Sequence, residues 1–386
     1  MTDASEALIL QSDRQYANVR LYGRVAGHGS HAQVTSGFAE ALRGSGLLAG
    51  LVGLDRDLPP DSPQPGGALA SRAVFTGPLG FLPALRRGVR HAERYAMLAP
   101  NSSFLPGNLM RALEATCTTI LVPSRWAKNI AEENTSVPVR VVPHGVSRHF
   151  APKAERRDEA RAAYRRGEFS VLHLSSSIYE RKGTLALLRA WSMLQTDGEL
   201  PPTARLRLVL EMDAMARTMA WMAESGLELP NVAWTARMEA SPERLTETYS
   251  AHHVVCQPSR GEGFGLCPLE CLACGVPIVA TGCTGHAEWF KPGLRGAVRV
   301  EHGPDGPIDD GPGAMAPTVE PDAIAAALCD AYKRWEQLDV DASDAAADVQ
   351  TSWAWATQLG PLMRDFAEPI DEPGTSFTEP TGDDEQ

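Results

Sequence analysis

The chain has 386 residues, 43% of them hydrophobic, 22% charged and 6% aromatic, an ordinary globular composition that excludes a mostly disordered chain and, at about 100–200 residues per domain, suggests two domains. No stretch approaches the ~20 consecutive apolar residues of a membrane helix, and the start Met1-Thr-Asp-Ala-Ser-Glu lacks the basic and apolar regions of a signal peptide, so a cytoplasmic location is expected. The formal net charge of −12 argues against general affinity for nucleic acid.

The first half reads as alternating strand and helix. Asn18-VRLYGRVA predicts a strand, followed by the loop Gly27-His-Gly-Ser30 and a helix over 31–42. A second strand, Leu47-LAGLVGL, ends at Asp55, and 56–68 form a Pro/Gly/Asp-rich loop. A short strand near 73–76 precedes a basic stretch holding Arg86, Arg87, Arg90, His91 and Arg94. That stretch lacks a clean apolar stripe and gives no support for a membrane anchor, although it leaves peripheral contact with an anionic surface open. Then follow a strand at Tyr95-AML, a helix over 109–115 and a strand at Thr118-TILVP. Ser124 caps a helix to about 133, and a further strand, Val139-RVVP, leads into Pro143-His-Gly-Val146.

Residues 151–167 are charged, helical in propensity and almost free of large apolar side chains, as expected of a domain junction. Beyond it the alternation resumes. Strands are predicted at Phe169-SVLHLSS, Arg205-LRLVLEM, Asn231-VAWTA, His253-VVCQPS, Pro277-IVAT and Gly296-AVRV, with helices over 183–194, 214–224, from Ser241 and over 266–273. Helices over 321–337 and 344–366 close the fold. Residues 368–386 hold seven acids and no base, so the body is only about −5, and the tail is expected to be disordered. Strand-helix alternation predicts an α/β protein with two parallel sheets, each covered on both faces, and ligands beyond the carboxyl ends of the strands.

The most informative segment is Ser259-RGEGFGLCPLECLACGVPIVATGCTGHAEWF. Glu262 stands in a glycine-flanked loop and Glu270 lies eight positions later, in the following helix. Gly261, Gly263 and Gly265 allow close backbone approach to a ligand. The helix start at Leu266 offers amides and a positive dipole end to a diphosphate. A carboxylate accepts two hydrogen bonds side by side, which suits adjacent sugar or ribose hydroxyls. Cys267, Cys271 and Cys274 have the CxxxCxxC spacing of an iron–sulfur site, but they also fall on one helix face as small apolar packing residues, and the second reading is preferred. Gly27-His-Gly29-Ser-His-Ala32, with Asp55 ending the second strand, fits the GxGxxA dinucleotide pattern of an NAD(P)-dependent oxidoreductase. That pattern leaves Glu262 and Glu270 unexplained.

The Glu262–Glu270 block resembles the E-x7-E motif of GT-B glycosyltransferases, most closely the retaining family called GT4 (glycosyl transferases group 1). "ILVPSRWAKNIAEE" with "VRVVPHGV", "VLHLSSSIYERKGTLALLRAW" and, more loosely, "GHGSHAQVTSGFAEAL" are similar to further blocks of that family, in the same order, over about residues 18–340. The resemblance implies two Rossmann-like domains facing across a cleft: 1–155 on the acceptor side, 156–343 binding the nucleotide sugar, and a helix over 344–367 crossing back to the N-terminal domain. It implies transfer of a hexose-type sugar from a nucleotide-diphosphate donor to an acceptor hydroxyl, with retention and without a metal or other cofactor; the acceptor could be a glycan, lipid, small molecule or protein. By position, Glu262 would bind hydroxyls of the transferred sugar, and the amides of Gly263, Phe264, Gly265 and Leu266 would meet sugar and diphosphate. Glu270 would hold the ribose, and Lys182 would neutralise the β-phosphate. Gly27 and Gly29 would let the first loop approach the phosphates, and Arg237 and Met238 would border the base. Ser176 stands where the family has a second basic residue. Arg181 is the candidate replacement, although its place beside Lys182 on a short loop predicts that it points elsewhere. His144 and His286 lie in loops after strands and are further candidates for the site, although an isolated histidine is usually structural. The Ser176 departure also leaves open a degenerate, non-catalytic binding protein.

Overall fold

The computed structural model describes residues 18–25, 30–54, 70–77, 91–175, 180–227, 229–236 and 241–370. The N-terminal unit is a parallel sheet of β1 (Val19–Gly23), β2 (Leu48–Gly53), β3 (Arg72–Phe75), β4 (Glu93–Met97), β5 (Thr119–Val122) and β6 (Val139–Val141), in the order β2-β1-β3-β4-β5-β6. Successive side chains alternate between its faces. Leu21, Val74 and Leu121 join one core with Phe38 and Leu42 of α1 (Ser30–Gly44). Tyr22, Phe75, Ile120 and Val122 join the other, with Leu113 of α2 (Gly107–Thr116) and Ile130 of α3 (Arg125–Glu132). Ser124 caps α3 as predicted, its Oγ accepting from the Ala127 N–H at 3.2 Å.

The charged segment after 151 is not a bare linker. It forms α4 (Ala154–Arg165), which is docked on the second unit by a buried ion pair. Arg157, 2% exposed, donates from Nε to Asp339 Oδ1 at 3.1 Å and from Nη1 to the His252 carbonyl at 2.6 Å, while Arg161 Nε donates to Asp339 Oδ2 at 2.6 Å. A distant carboxylate and main-chain acceptors satisfy the guanidinium, which is what burial of such a charge requires.

The second sheet contains β7 (Ser170–Ser175), β8 (Arg205–Leu210), β9 (Val232–Ala236), β10 (Val254–Gln257), β11 (Ile278–Thr281) and β12 (Ala297–Val300), all parallel, in the order β12-β11-β10-β7-β8-β9. Renumbered within the unit this is the 3-2-1-4-5-6 order of a Rossmann fold. Helices α5 (Thr184–Thr196), α6 (Met212–Ser225), α7 (Pro242–Ser250) and α8 (Leu266–Ala273) alternate with the strands. Leu187, Trp191 and Leu194 of α5 are buried on one face, as their spacing predicts. A small hairpin unforeseen in the sequence, β13 (Asp305–Pro307) and β14 (Met315–Pro317), precedes the last helices.

The two closing helices predicted over 321–337 and 344–366 are three: α9 (Pro321–Lys333), α10 (Trp335–Ser352) and α11 (Trp355–Ala367). The first break, at Arg334, falls within the second unit, and the second falls where the chain crosses between units. At the second, the Val146 N–H donates to the Trp353 carbonyl at 2.7 Å, and Val146 bridges Ala354. Helix α11 then buries Trp355, Leu359, Leu362 and Phe366 in the N-terminal core. Arg72 Nη1 and Asn18 Nδ2 donate to the Phe366 carbonyl at 3.0 and 2.7 Å. The C-terminal helix therefore crosses back to the first unit. No helix among the described residues is long and apolar enough to cross a membrane.

Candidate active site

β7 and β10 are neighbours at the point where the strand order of the second sheet reverses, the crevice in which doubly wound sheets bind ligands. The loop after β7 carries Arg181 and Lys182; the loop after β10 carries Glu262. Gly183 allows the two loops to meet. Its backbone is left-handed (φ 73°), and a Cβ there would overlap the Pro258 carbonyl. The Arg260 N–H donates to the Arg181 carbonyl at 2.8 Å, joining loop to loop.

Both cations converge on one carboxylate. Lys182 Nζ donates to Glu262 Oε1 at 2.5 Å, and Arg181 Nη1 lies 3.5 Å from Glu262 Oε2 while donating to the Gly261 carbonyl at 2.5 Å. The expectation that Arg181 points away from its neighbour is thus corrected: the loop is folded back on Arg260 and Gly261, which turns adjacent side chains toward the same group. Burial opposes ionisation of Glu262, yet Lys182, Arg181 and His286 outweigh it and hold the carboxyl at about 2. Burial also draws Lys182 downward, and Glu262 opposes that shift.

The backbone of Glu262 is equally fixed. Its N–H donates to Thr284 Oγ1 at 3.1 Å, and its carbonyl accepts from the Gly285 N–H at 2.8 Å. Thr284 is left-handed (φ 48°), an uncommon state for a β-branched residue and a local strain that aims its hydroxyl. Helix α8 starts after Gly265, also left-handed (φ 82°), where a Cβ would overlap the ring of His286. His286 is buried, its Nδ1 hydrogen-bonded to the Thr281 carbonyl at 2.9 Å, and burial lowers its pKa. Phe264 is buried, its carbonyl accepting from Trp289 Nε1 at 2.9 Å.

Glu270 lies four residues into α8 and is 4% exposed. The Tyr249 hydroxyl donates to its Oε2 at 3.1 Å. It opens on a cavity of about 370 Å³ between the units, whose walls include Gln33 and Ser36 of α1, Ser241, Leu266 and Trp355. Neither Glu262 nor Lys182 lines that cavity. The glycines flanking Glu262 face protein rather than open space. A Cβ on Gly261 would overlap the Asn101 carbonyl, and one on Gly263 would lie 2.9 Å from Ala99 Cβ. The close approach foreseen for these two glycines is therefore made by the N-terminal unit. Ser124 Oγ adds a 2.9 Å bond to the Gly263 carbonyl, and the Arg125 N–H donates to Glu288 Oε2 at 2.8 Å.

Gly27, Gly29, Ser176, Arg237 and Met238 lie outside the described residues, as does Asp55. His144 is buried between Phe264 and Trp355, with ring centroids 5.3 and 5.6 Å away; its Nε2 has no hydrogen-bond partner among the described residues, and burial, then His31, lower its pKa to about 3. Cys271 and Cys274 are fully buried in the apolar cluster behind α8, where burial raises both thiols, and Cys267 is half-buried. Among the described residues no group of three or more His, Cys, Asp or Glu side chains is placed to hold a metal ion. Tyr249, Thr284 and the segment 99–101 were not singled out from sequence, because each reaches the site from elsewhere in the chain.

Comparison with known proteins finds likeness to glycosyltransferases over part of the chain. Residues 168–334 match the family of glycosyl transferases group 1. A D-inositol 3-phosphate glycosyltransferase from Nocardiopsis dassonvillei is 31% identical over 175 residues, covering 43% of this chain and 40% of that protein. A GDP-mannose-dependent alpha-(1-6)-phosphatidylinositol monomannoside mannosyltransferase from Mycolicibacterium smegmatis is 28% identical over 60% of this chain and 61% of its own length. The chain thus spans less than two thirds of the length of these relatives. Among solved structures, HepE from Anabaena in complex with UDP and glucose aligns with a TM-score of 0.65 at 13% identity, covering 92% of this chain and 100% of that one. Sucrose-phosphate synthase from Thermosynechococcus elongatus aligns at 0.64 with 18% identity, covering 90% and 98%. The shared architecture is the GT-B fold of two Rossmann-like domains.

Proposed function

We propose that this chain is a glycosyltransferase that moves a sugar from a nucleotide-diphosphate donor to an acceptor hydroxyl with retention at the anomeric carbon. The observation that carries the reading is the Lys182–Arg181–Glu262 cluster at the switch point of the second sheet, with Glu270 on the next helix opening into the interdomain cavity. The group 1 match covers this half of the chain, and HepE, of the same fold, binds UDP and glucose.

In this reading Glu270, oriented by Tyr249, accepts the ribose hydroxyls. The first turn of α8 meets the diphosphate, where free amides and the helix dipole favour negative charge. Lys182 neutralises charge that develops on the leaving β-phosphate, and preorganised electrostatics of this kind are usually the largest catalytic contribution. These donors carry the leaving-group charge without a metal ion. Glu262 fixes Lys182 and accepts from hydroxyls of the transferred sugar. Closure of the two units excludes water from the reacting centre.

The test is a calorimetric panel of UDP-, GDP-, ADP- and dTDP-sugars, followed by transfer and hydrolysis assays with and without chelator, with Glu270→Ala as control. One donor should bind in the micromolar range typical of such substrates, lose affinity in Glu270→Ala, and turn over unchanged in chelator. Absence of binding by every nucleotide sugar would overturn the proposal.

A further inference from the structure

We propose that Phe104 is a positioning residue: it plugs into the β13–β14 hairpin of the second unit and so clamps Ala99–Asn101 over the glycines that flank Glu262. The inference rests on the glycosyltransferase reading for its catalytic consequence, but its structural half stands alone.

The segment leaves the carboxyl end of β4 and passes over the donor loop, with Asn101 against Gly261, and Ala99 and the Pro100 carbonyl against Gly263. It is then anchored at its far end. Phe104 packs against Ile308, Ala314 and Ala316, the small apolar cluster of the hairpin. Gly311 is glycine at φ 133°, and a Cβ there would overlap the Phe104 ring. Beside the ring, the Ser103 N–H donates to the Met315 carbonyl at 3.2 Å, and the Met315 N–H donates to Ser103 Oγ at 2.9 Å. The hairpin is in turn tied to the donor loop by Arg260, whose Nε donates to the Pro317 carbonyl at 2.9 Å and Nη2 to the Pro307 carbonyl at 2.9 Å.

A closed circuit results: β4, the 99–104 segment, the hairpin, Arg260, and back to the loop that carries Glu262. The links at Ser103 and Arg260 are hydrogen bonds, and Ala99–Asn101 meets the donor-loop glycines by close packing. The Phe104 plug supplies the apolar burial that resists water at the joint, since exposed hydrogen bonds between loops contribute little net free energy. The circuit closes the Glu262 end of the cleft, whereas Glu270 faces the open cavity. Phe104 therefore governs whether the reacting centre is covered, and leaves the nucleotide end untouched.

The test compares wild type with Phe104→Ala, Phe104→Leu and Gly311→Ala, the last of which displaces the ring from the opposite unit. Hydrogen exchange of full-length protein should show the amides of Ser103 and Met315 exchanging at least about tenfold faster in Phe104→Ala and Gly311→Ala, with Phe104→Leu close to wild type. With the donor identified by the nucleotide panel, nucleoside diphosphate affinity should stay within about twofold. Transfer should fall on the order of a hundredfold, as for a misplaced reacting group, with the share of donor lost to hydrolysis rising. Unchanged exchange at Ser103 and Met315 in both loosening variants would refute the plug, whatever the activity. Faster exchange with transfer and hydrolysis both unchanged would refute its positioning role. Loss of nucleotide affinity in step with transfer would reduce it to a structural contact. Failure of all nucleotide sugars to bind would remove the proposed reaction but leave the exchange result to decide the plug.

Discussion

Replacing Glu262 by Gln tests the electrostatic account of the site directly. The variant keeps the shape and one acceptor for Lys182 Nζ, but leaves Lys182 and Arg181 facing each other without a counter-charge in a place where the Glu262 side chain is only 11% exposed. Removing one partner of a buried pair costs about 3–5 kcal/mol. The pH dependence gives an independent figure. Burial resists the charge, but the Lys182 and Arg181 cations more than offset it and lower Glu262 from 4.5 to about 2, a difference worth about 3 kcal/mol. Because the folded value lies below the unfolded one, this stabilisation is present above pH 4.5 and is lost as pH falls toward 2. Chemical denaturation at pH 7 should therefore show Glu262→Gln less stable by about 3 kcal/mol. Stability plotted against pH should be flatter in the variant than in wild type between 4.5 and 2. A variant within about 0.5 kcal/mol of wild type at pH 7, with an unaltered acid limb, would refute the claim that the carboxylate is ionised by its two neighbours.

Lys182→Ala should lower the transfer rate by about 10²–10³-fold, the effect of removing one preorganised donor, with a smaller change in donor affinity; an unchanged single-turnover rate would remove the lysine from the reaction. Tyr249→Phe deletes the hydroxyl that orients Glu270 and should weaken nucleotide binding by about 1 kcal/mol, roughly fivefold; calorimetry showing equal affinity would place Glu270 outside the ribose site. His144 is held neutral by burial, with its pKa lowered to about 3, so the unfolded chain takes up a proton below pH 6.5 that the folded one refuses. His144→Phe should therefore lose about 2 kcal/mol less stability than wild type on moving from pH 7 to pH 5, as read by urea denaturation; parallel curves would show that His144 is protonated in the fold.

How much of this was legible in the sequence follows from where the information lies. The strands of both sheets are short apolar runs bounded by turn residues, and Gly261, Glu262, Gly263, Gly265 and Glu270 sit within ten residues, so local spacing exposes them. The charged helix α4 reads as a solvated junction because its composition says nothing of Asp339, the distant residue that neutralises Arg157. The β13–β14 hairpin is hidden by three-residue strands in a segment rich in Pro and Gly. The break before α11 is set by the crossing between units and the Val146–Trp353 bond, a tertiary event that helix propensity cannot register. The same holds at the site. Thr284, Tyr249 and Asn101 act through contacts 22, 21 and 160 residues away along the chain, and no local pattern announces them.

The charge state of Glu262 also decides what it does in the proposed reaction. A general base works best when its pKa lies near the operating pH. Against the cost of burial, Lys182 and Arg181 draw Glu262 down to about 2, and one of its oxygens already accepts from Lys182. At neutral pH such a carboxylate is ionised but holds a proton weakly, so it is poorly suited to taking one from an acceptor hydroxyl. Lys182 keeps two further N–H groups beyond the one given to Glu262, so the ion pair can orient the lysine without consuming its capacity for phosphate. The acceptor proton is then best received by an oxygen of the departing diphosphate, whose basicity rises as the bond to the sugar breaks. The profile of kcat/KM against pH should accordingly carry no limb between pH 5 and 8 that Glu262→Gln abolishes while sparing the plateau rate. A limb in that window that disappears in the variant would show Glu262 accepting the proton itself, and would require a carboxyl far less depressed than its surroundings dictate.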